Sequence, residues 1–256
     1  MATLKFRDTD GVWQVASSLK YKDASGIWQT TRNLKYKDNN GVWQNVRICR
    51  KSSDSGDDYP TISTLTVGST VYLNESGSPV EFYIAKHDYE SGLNGTGRTL
   101  LVRKDCCSKR SWNSSNLNTY ATSTIDAWLN GDYKALFDSN IQNAIATTSF
   151  YYTVSGSVTT VTELNRSVFL LSITELGKTS SNSNSEGTAL DISTVLQTTS
   201  DQLTRTPSIG TTTSILYLTS EGNVYSSYCT SAYGVRPCFT LPANIPFNPN
   251  TNIIIG

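Results

Sequence analysis

The sequence predicts an α+β protein in which short helices pack on an antiparallel sheet, preceded by a β-hairpin repeat module. Three observations predict it. A 15-residue pattern recurs three times at the start of the chain, short alternating segments bounded by Gly, Asn and Pro follow beyond residue 60, and one segment has a clear helical period.

The composition excludes several classes of protein. The 256 residues include 21 basic and 21 acidic side chains, so no excess positive charge is available for nucleic-acid phosphates, and we expect no nucleic-acid partner. Serine and threonine, 34 of each, take the place of charged residues, while 14 tyrosines and five tryptophans exclude a disordered chain. No run of 18 apolar residues exists and the first residues do not form a signal peptide, so we expect no membrane insertion.

The repeat module fills residues 1–49. Its first copy reads Leu4-Lys-Phe-Arg-Asp-Thr-Asp-Gly-Val-Trp-Gln, and the same pattern starts again at Leu19 and Leu34. An alternating strand, a polar turn closing on glycine and an aromatic strand indicate a β-hairpin in each copy. One such hairpin cannot bury its own tryptophan, so the copies are expected to stack on each other or on other chains. The alternative is that Trp13, Trp28 and Trp43 bind sugar rings, as in the cell-wall-binding repeats that this stretch loosely resembles; it is also similar to short Gly-x-Trp-Gln stretches of phage tail proteins.

Residues 50–60 lack apolar side chains before Tyr59 and are expected to form a linker. Within the main domain, residues 61–242, we expect strands at 67–73, 80–85, 100–103 and 168–173, and a hairpin of 215–219 with 224–228. Ser123 with Asp126 has the pattern of a helix N-cap, and the apolar spacing that follows indicates a helix that Gly131-Asp132 would divide in two, with a second short helix at 140–146. The tail, residues 243–256, is expected to be extended, and its isoleucines at 253–255 are expected to pack on some other surface rather than to be fully exposed.

The segment between Arg205 and Arg236 has an unusual composition. Its only charged side chain is Glu221, and Ser, Thr and Tyr supply 16 of the 28 residues from Thr206 to Tyr233. Catalytic loops usually gather ionisable groups, whereas Tyr with small polar residues is typical of recognition surfaces, because tyrosine offers a large contact area at low entropic cost. The alternative is an ordinary β-meander with polar outward faces.

Histidine and cysteine usage limits the possible chemistry. His87 is the only histidine, which excludes a zinc site built on several histidines, and its position at the end of a strand favours a structural role. The five cysteines, at 49, 106, 107, 229 and 238, are too few for a disulfide scaffold and are interpreted as structural or incidental. We therefore expect no catalytic residue, no metal site and no cofactor.

Several segments together resemble one family. They are Phe82-Tyr-Ile-Ala-Lys-His-Asp-Tyr, Leu101-Val-Arg-Lys-Asp, Trp112-Asn-Ser-Ser, Ile125-Asp-Ala-Trp-Leu-Asn, Leu170-Leu-Ser-Ile-Thr-Glu-Leu-Gly and the closing Tyr233-Gly-Val-Arg-Pro-Cys-Phe-Thr-Leu. In this order, over residues 61–242, they resemble the C-type-lectin-like domains of bacterial and phage surface proteins, which are related to the formylglycine-generating-enzyme fold. Many members are variable proteins of diversity-generating retroelements, including phage tail proteins that recognise host receptors, and adenine-directed mutagenesis rewrites their codons shortly before the Gly-Val-Arg-Pro strand.

The resemblance implies a set of framework and ligand-contacting residues. The framework residues are Arg205, Gly222, Gly234, Arg236 and Pro237, and Arg236 is expected to pair with a buried acid. Strand phase decides which of the ligand-contacting candidates face outward. These candidates are Ser208, Ile209, Thr211, Thr212, Thr213, Ile215, Tyr217, Thr219, Tyr225, Ser227, Tyr228, Cys229, Thr230 and Ser231.

The function expected from residues and resemblance together is non-enzymatic receptor binding at a phage tail tip, hence in the virion. The surface at 206–232 would meet a host cell-surface protein or glycan, and the repeats would contact other tail proteins or make the chain a homo-oligomer, with a trimer favoured. One alternative is a carbohydrate-binding adhesin at a bacterial cell surface. A remote alternative is a formylglycine-generating-type enzyme, which needs a copper-binding cysteine pair; Cys229 and Cys238 lie in the matching region but nine positions apart. One acid near residues 221–223 predicts no calcium requirement.

Overall fold

The computed structural model describes residues 59–196 and 200–255, together with the main chain of six short strands within residues 1–46. The chain divides into two compact units, Met1–Asp58 and Tyr59–Gly256. The second unit consists mostly of antiparallel strands with a few short helices, which confirms the predicted α+β class. Among the residues described, no helix has the length and apolar character required to cross a membrane.

Each copy of the repeat contains one antiparallel strand pair. In every pair the tryptophan lies opposite a basic residue, at Arg7↔Trp13, Lys22↔Trp28 and Lys37↔Trp43. The turn glycines, the stacking of the copies and the linker up to residue 58 lie outside the described residues. The strands are β1 (Lys5–Arg7), β2 (Trp13–Val15), β3 (Lys20–Lys22), β4 (Trp28–Thr30), β5 (Leu34–Lys37) and β6 (Trp43–Val46).

A five-stranded antiparallel sheet, which we call the core sheet, holds much of the hydrophobic core. Along the strand at Thr70–Glu75 apolar residues alternate with polar ones, so that Val71 and Leu73 are buried while their neighbours are half-exposed. Phe82 and Phe239 from two of its strands meet Phe137 edge-on or tilted, with centroids 5.2–6.1 Å apart. In spatial order the strands are β13 (Val168–Phe169), β18 (Cys238–Pro242), β9 (Arg98–Arg103), β8 (Ser78–His87) and β7 (Thr70–Glu75).

A second five-stranded sheet, which we call the tyrosine sheet, contains most of the uncharged segment. Its fourth and fifth strands form the predicted hairpin, whose register pairs Tyr217 with Tyr225. One pair in the sheet, Gln202 with Gly234, is parallel. In spatial order the strands are β10 (Ser108–Ser111), β17 (Ala232–Val235), β14 (Gln202–Pro207), β15 (Ser214–Leu218) and β16 (Val224–Tyr228).

A separate hairpin joins β11 (Thr148–Thr153) to β12 (Val161–Arg166). Neither strand was predicted from the sequence. The strand predicted at 168–173 ends instead at Phe169, because Ser172 and Glu175 form a local turn: the Ser172 N–H donates to Glu175 Oε2 (2.9 Å) and the Glu175 N–H to Ser172 Oγ (3.1 Å).

The predicted N-cap is confirmed, since the Asp126 N–H donates to Ser123 Oγ at 3.2 Å. The helix does not break at Gly131. It continues from α2 (Thr124–Trp128) into a π-helical turn at Leu129–Tyr133 and a 3₁₀ turn at Lys134–Leu136, which keep the apolar residues on one buried side. The other helices are α1 (Ser91–Asn94) and α3 (Ser139–Ala144), with 3₁₀ turns at Ile62–Thr64 and Tyr120–Thr122.

The C-terminal tail packs along the outer strand of the core sheet. The Tyr72 N–H donates to the Asn252 carbonyl (2.8 Å) and the Ile254 N–H to the Tyr72 carbonyl (2.9 Å). Ile254 is buried, whereas Ile255 is exposed. The tail therefore satisfies the main-chain N–H and C=O of Tyr72 on the free side of β7.

Candidate ligand-binding surface

A row of rings and one guanidinium crosses one face of the tyrosine sheet. Tyr233 on β17 stacks on Tyr217 of β15, with centroids 4.1 Å apart, and Tyr217 lies 6.4 Å from its cross-strand partner Tyr225. On the other side of Tyr233, the paired residue Arg110 places its guanidinium 3.9 Å from the centroid of the Trp128 ring. We call these five residues the aromatic row.

The aromatic row presents neutral hydroxyl groups beside a single positive charge. Burial, followed by the neighbouring Tyr233, raises the pKa of Tyr217 to about 12, so its phenol stays protonated at physiological pH. The Tyr233 hydroxyl donates to Ser227 Oγ at 2.9 Å. Arg110 is exposed and has no carboxylate partner among the described residues. Aromatic rings with hydroxyl groups beside a guanidinium are the groups with which recognition surfaces make hydrogen bonds and ring contacts.

A threonine-rich loop at 208–213 connects β14 to the start of β15, and the side chain of Asn118 holds it in place. The Asn118 amide donates to the carbonyls of Thr211 (2.9 Å) and Ser214 (2.8 Å), and its oxygen accepts from the Gly156 N–H (3.0 Å). A Cβ on Gly156 would lie 2.0 Å from the Thr211 carbonyl oxygen. Asn118 and Gly156 therefore fix the conformation of the loop.

This loop forms one wall of an open depression of about 630 Å³. Serine and threonine side chains, glycine main chain and Ile209 line it, and its lining contains no charged side chain. The lining residues are Gly156, Ser157, Thr159, Ile209, Gly210, Thr211, Thr212 and Thr213.

The structure distributes the predicted ligand-contacting residues over three environments. Exposed are Thr211, Thr212, Tyr225, Tyr228 and Thr230; half-buried are Ile209, Thr213, Tyr217, Ser227 and Ser231; buried are Ser208, Ile215, Thr219 and Cys229.

The four buried residues pack beneath the surface and are not accessible to a ligand. This corrects the prediction that they contact the ligand. Ile215 and Cys229 belong to the hydrophobic core, with no exposed area. Ser208 is 3% exposed, and its N–H donates to the Ser214 carbonyl. Thr219 closes the β15–β16 turn by accepting from the Asn223 N–H at 3.1 Å.

The exposed residues do not form one flat patch. Side chains alternate along a strand, so Ser227 lies on the same face as Tyr225 and the rest of the aromatic row, whereas Tyr228 lies on the opposite face. Tyr228, 63% exposed, lies opposite Ser214 and thus near the threonine-rich loop. The candidate surface therefore has one part on each face of the tyrosine sheet.

Beneath this surface, Arg205 forms a fully buried ion pair. Its Nη1 donates to Glu175 Oε2 at 2.5 Å and to the Leu170 carbonyl at 2.9 Å, and its Nε donates to the Tyr151 carbonyl at 3.0 Å. The Tyr89 hydroxyl donates to the other oxygen of Glu175. Both charges are thus satisfied by hydrogen bonds, which a buried pair requires to be stable.

A second buried carboxyl, that of Glu186, lies beside this pair. It accepts from the Thr153 N–H and from the Thr206 hydroxyl, both at 2.6 Å. Burial raises the pKa of Glu186, although Arg205 and these hydrogen bonds act in the opposite direction. Arg205 is therefore the centre of a buried polar cluster that includes Glu175 and Glu186.

The expected buried acid next to Arg236 is absent from the described residues, and this prediction was wrong. Arg236 donates to the main-chain carbonyls of Leu196 and Lys104, and its Nε has no partner. Burial lowers the pKa of Arg236. The buried acid that was predicted for Arg236 is found instead at Arg205, which pairs with Glu175.

The glycines of the framework have clear steric roles. Gly222 has φ +79° in the β15–β16 turn, a conformation that favours glycine. A Cβ on Gly234 would lie 2.6 Å from Cys106 Sγ and 2.7 Å from the Asp201 carbonyl oxygen. Pro237 contributes its carbonyl, which accepts from the Arg103 N–H at 3.0 Å.

The cysteines do not fit a copper-binding pair. The four described cysteines are free thiols, and Cys238 Sγ donates to the Phe169 carbonyl inside the core at 3.1 Å. Burial raises the pKa of Cys229 to about 11 and that of Cys238 well above its ordinary value, which disfavours the thiolate that a metal needs. No cluster of three or more His, Cys, Asp or Glu side chains suited to a metal occurs in the described part of the chain.

His87 ends β8 and has a structural environment. Its Nδ1 lies 2.9 Å from Thr99 Oγ1, and its Nε2 lies 2.8 Å from the Leu65 carbonyl oxygen. Both ring nitrogens are therefore engaged within the fold.

Sequence reasoning missed four residues that shape the surface: Arg110, Trp128, Asn118 and Gly156. Trp128 was assigned to the apolar face of a helix and the other three had no assigned role. Their roles depend on contacts between segments that are distant in the chain, such as Asn118 with Ser214, and no local motif carries that signal.

The described part of the chain beyond residue 58 is an α+β domain with two five-stranded sheets and a buried Arg205–Glu175 ion pair. Residues 96–243 match DUF6273, a domain of unknown function, and the chain belongs to this family. The matched range contains the whole tyrosine sheet, the aromatic row and the Arg205–Glu175 pair. No curated protein and no solved structure matches the chain.

Proposed function

We propose that this protein is a non-enzymatic receptor-binding protein and that the aromatic row with the threonine-rich loop is its recognition surface. The observation that carries the proposal is the aromatic row, in which Tyr233, Tyr217 and Tyr225 lie side by side across three strands next to Arg110. Tyrosine and arginine are the residue types that contribute most binding energy at interfaces, and rings held by stacking lose little entropy on binding.

The wider setting of the proposal rests on the resemblance and the repeats. The domain is proposed to be C-type-lectin-like and to act at a phage tail tip in the virion, with the N-terminal repeats attaching it to other tail proteins or assembling it into a trimer. The matching alternative is an adhesin at a bacterial cell surface. Purified virions probed with an antibody against the domain separate these two, since an adhesin would be absent from virions.

The segment at 206–232 is proposed to be diversified at its exposed positions. Its buried residues, such as Ile215 and Leu218, hold the core, while Tyr225 and Tyr228 contribute mainly to the surface. The test is the neighbouring DNA: a near-copy of the sequence that encodes residues 205–238, differing only at adenines and lying beside a reverse transcriptase gene, is expected. Finding no such copy would remove the diversification claim and leave receptor binding untouched.

Binding itself is tested with the labelled full chain on a panel of bacterial strains by flow cytometry. On a strain that binds the wild type, Tyr225→Ala and Arg110→Ala should each weaken binding about tenfold or more, as expected for residues at the centre of an interface. Thr162→Ala is the matched control, because Thr162 is exposed on β12, outside the candidate surface. If Tyr225→Ala and Arg110→Ala bound as strongly as Thr162→Ala and the wild type, the aromatic row would not be the binding surface.

The hydroxyl-lined depression favours a glycan as the ligand class over a protein. It offers Thr211, Thr212 and Ser157 hydroxyls without a charged group, and Tyr228 lies nearby. A glycan array probed with the full chain tests this choice, with Thr212→Val as the variant expected to lose binding.

The protein is proposed to need no calcium, so binding should be unchanged when a chelator removes divalent cations. Loss of binding in chelator would contradict this.

A further inference from the structure

The two five-stranded sheets of the described chain have four outer strands, and these differ in how they are protected. An outer strand presents unpaired N–H and C=O groups to which another strand can add, so soluble proteins cover such strands, shorten them or place charges on them. In order, the outer strands are β13 and β7 of the core sheet and β10 and β16 of the tyrosine sheet.

Three of these strands carry a recognised protection. The C-terminal tail covers β7 through the hydrogen bonds of Tyr72 with Asn252 and Ile254. Strand β13 has only two residues, both buried. Strand β10 exposes Lys109 and Arg110, whose charges oppose addition of another strand.

Strand β16 carries none of these protections. Its sequence, Val-Tyr-Ser-Ser-Tyr, contains no charge and no proline, and its pairing with β15 is regular from one end to the other. No described strand is hydrogen-bonded to its other side. Tyr225 and Tyr228 are 55% and 63% exposed, so the strand is also accessible.

The register shows which main-chain groups of β16 point outward. The Thr219 N–H donates to the Asn223 carbonyl and the Cys229 N–H to the Thr213 carbonyl, so the residues that bond to β15 are the odd-numbered ones. The N–H and C=O groups of Val224, Ser226 and Tyr228 therefore point away from the sheet, although the Tyr228 carbonyl also accepts from the Ser231 N–H.

We propose that a second copy of this chain adds to this edge, with the two β16 strands antiparallel and centred on Ser226. In this register each Ser226 exchanges both main-chain hydrogen bonds with Ser226 of the second copy. Tyr225 then lies opposite Ser227, and Val224 opposite Tyr228, so each large side chain faces a smaller one. No charged residues are brought together, and the contact is the same patch on both copies, as a two-fold dimer requires.

The dimer would be one continuous ten-stranded sheet, twice the five strands of the tyrosine sheet. Residues that pair across strands share a face, so both aromatic rows would lie on the same side of it. A ligand with two epitopes could then engage both rows at once, which strengthens binding without a new contact. The pairing itself does not depend on the proposed function.

The first test is the mass of the full chain by light scattering. Ser226→Pro removes the central outward N–H and should lower the assembly mass about twofold, whereas Ser226→Ala keeps the N–H and should leave the mass unchanged. The ratio of masses is the readout, because the N-terminal repeats are also expected to assemble. Equal masses for the wild type and Ser226→Pro would overturn the proposal.

The second test keeps the proposal falsifiable if the proline variant fails to fold. Opposed residues in a hydrogen-bonded antiparallel pair have Cα atoms about 5.5 Å apart, within the range of a disulfide. Ser226→Cys should therefore give a disulfide-linked dimer under mild oxidation, visible on a non-reducing gel. Thr162→Cys, exposed on β12, should not. Absence of the Ser226→Cys dimer, or equal cross-linking by both variants, would overturn the proposed pairing.

Discussion

Tyr217 and Tyr233 stack with their planes 17° apart, although β14 lies between the strands that carry them. The stack ties β17 to the β15–β16 hairpin on the surface, where no main-chain hydrogen bond joins them directly. The aromatic row is therefore a rigid part of the sheet rather than a set of independent side chains.

Tyr233→Leu should remove the stack and lower the free energy of unfolding by about 1–3 kcal/mol. Tyr233→Phe keeps the ring and loses only the hydrogen bond to Ser227, so a loss below about 1 kcal/mol is expected. Urea denaturation measures both. Tyr228→Leu is the control, since Tyr228 is exposed and makes no ring contact in the described structure; a control loss as large as that of Tyr233→Leu would contradict a stabilising role for the stack.

Arg205→Met should lower the free energy of unfolding by about 3–5 kcal/mol, because it leaves Glu175 as an uncompensated buried charge. Adding Glu175→Gln to this variant should recover part of the loss, giving a cost smaller than the sum of the two single changes. Chemical denaturation of the single and double variants checks the coupling. Lys104→Met, which breaks the partly exposed pair with Glu81, is the control and should stay close to the wild type.

Glu186→Gln should become more stable relative to the wild type as the pH rises. The pKa of Glu186 is raised above its ordinary value of 4.5, so the folded chain holds this proton more tightly than the unfolded chain does. The stabilisation is complete below 4.5 and is lost as the pH rises through the raised pKa. Glutamine is neutral at every pH and can still accept from the Thr153 N–H.

The measurement is the difference in unfolding free energy between Glu186→Gln and the wild type, from urea curves at pH 4.5 and at neutral pH. Using the difference cancels the contribution of other carboxyls with raised pKa values, such as Asp126. A difference that stays constant with pH would show that Glu186 does not titrate as its burial requires.

Gly156→Ala should destabilise the domain and loosen the threonine-rich loop. Its Cβ would meet the carbonyl oxygens of Thr211 at 2.0 Å and Ser208 at 2.2 Å, so the loop must move, at a cost of about 1–3 kcal/mol. Faster amide hydrogen exchange at Gly210 is the local readout. Gly131→Ala is the matched control, because nothing lies within 4 Å of its added Cβ; similar exchange in both variants would contradict the steric argument.

Features set by neighbouring residues were predictable from the sequence. The cap of Ser123 on Asp126 and the pairing of β15 with β16 each depend on a few adjacent positions, and both are confirmed. The uncharged segment was also correctly identified as containing a hairpin. Its role in recognition stays a prediction, because no contact with a ligand tests it.

Features set by distant residues were not predictable in the same way. Whether Arg205 or Arg236 meets a buried acid depends on where Glu175 lies in space, 30 positions before Arg205 in the chain. Ile215 and Tyr217 are two positions apart on one strand, so alternation predicts the same environment for both. Ile215 is nevertheless buried and Tyr217 half-exposed, because the packing around them differs. No local sequence pattern distinguishes Asn118 from other polar residues, and its role follows from its hydrogen bonds to the Thr211 and Ser214 carbonyls.

The division of residues 208–231 into buried supports and exposed side chains also makes this domain a scaffold for engineering. A combinatorial library limited to the exposed positions Thr211, Thr212, Tyr225, Tyr228 and Thr230 leaves the core residues unchanged. Such a library would sample loop and strand positions at once, on a framework anchored by Arg205 and Asn118. Selected binders would then inherit the stability of the parent fold.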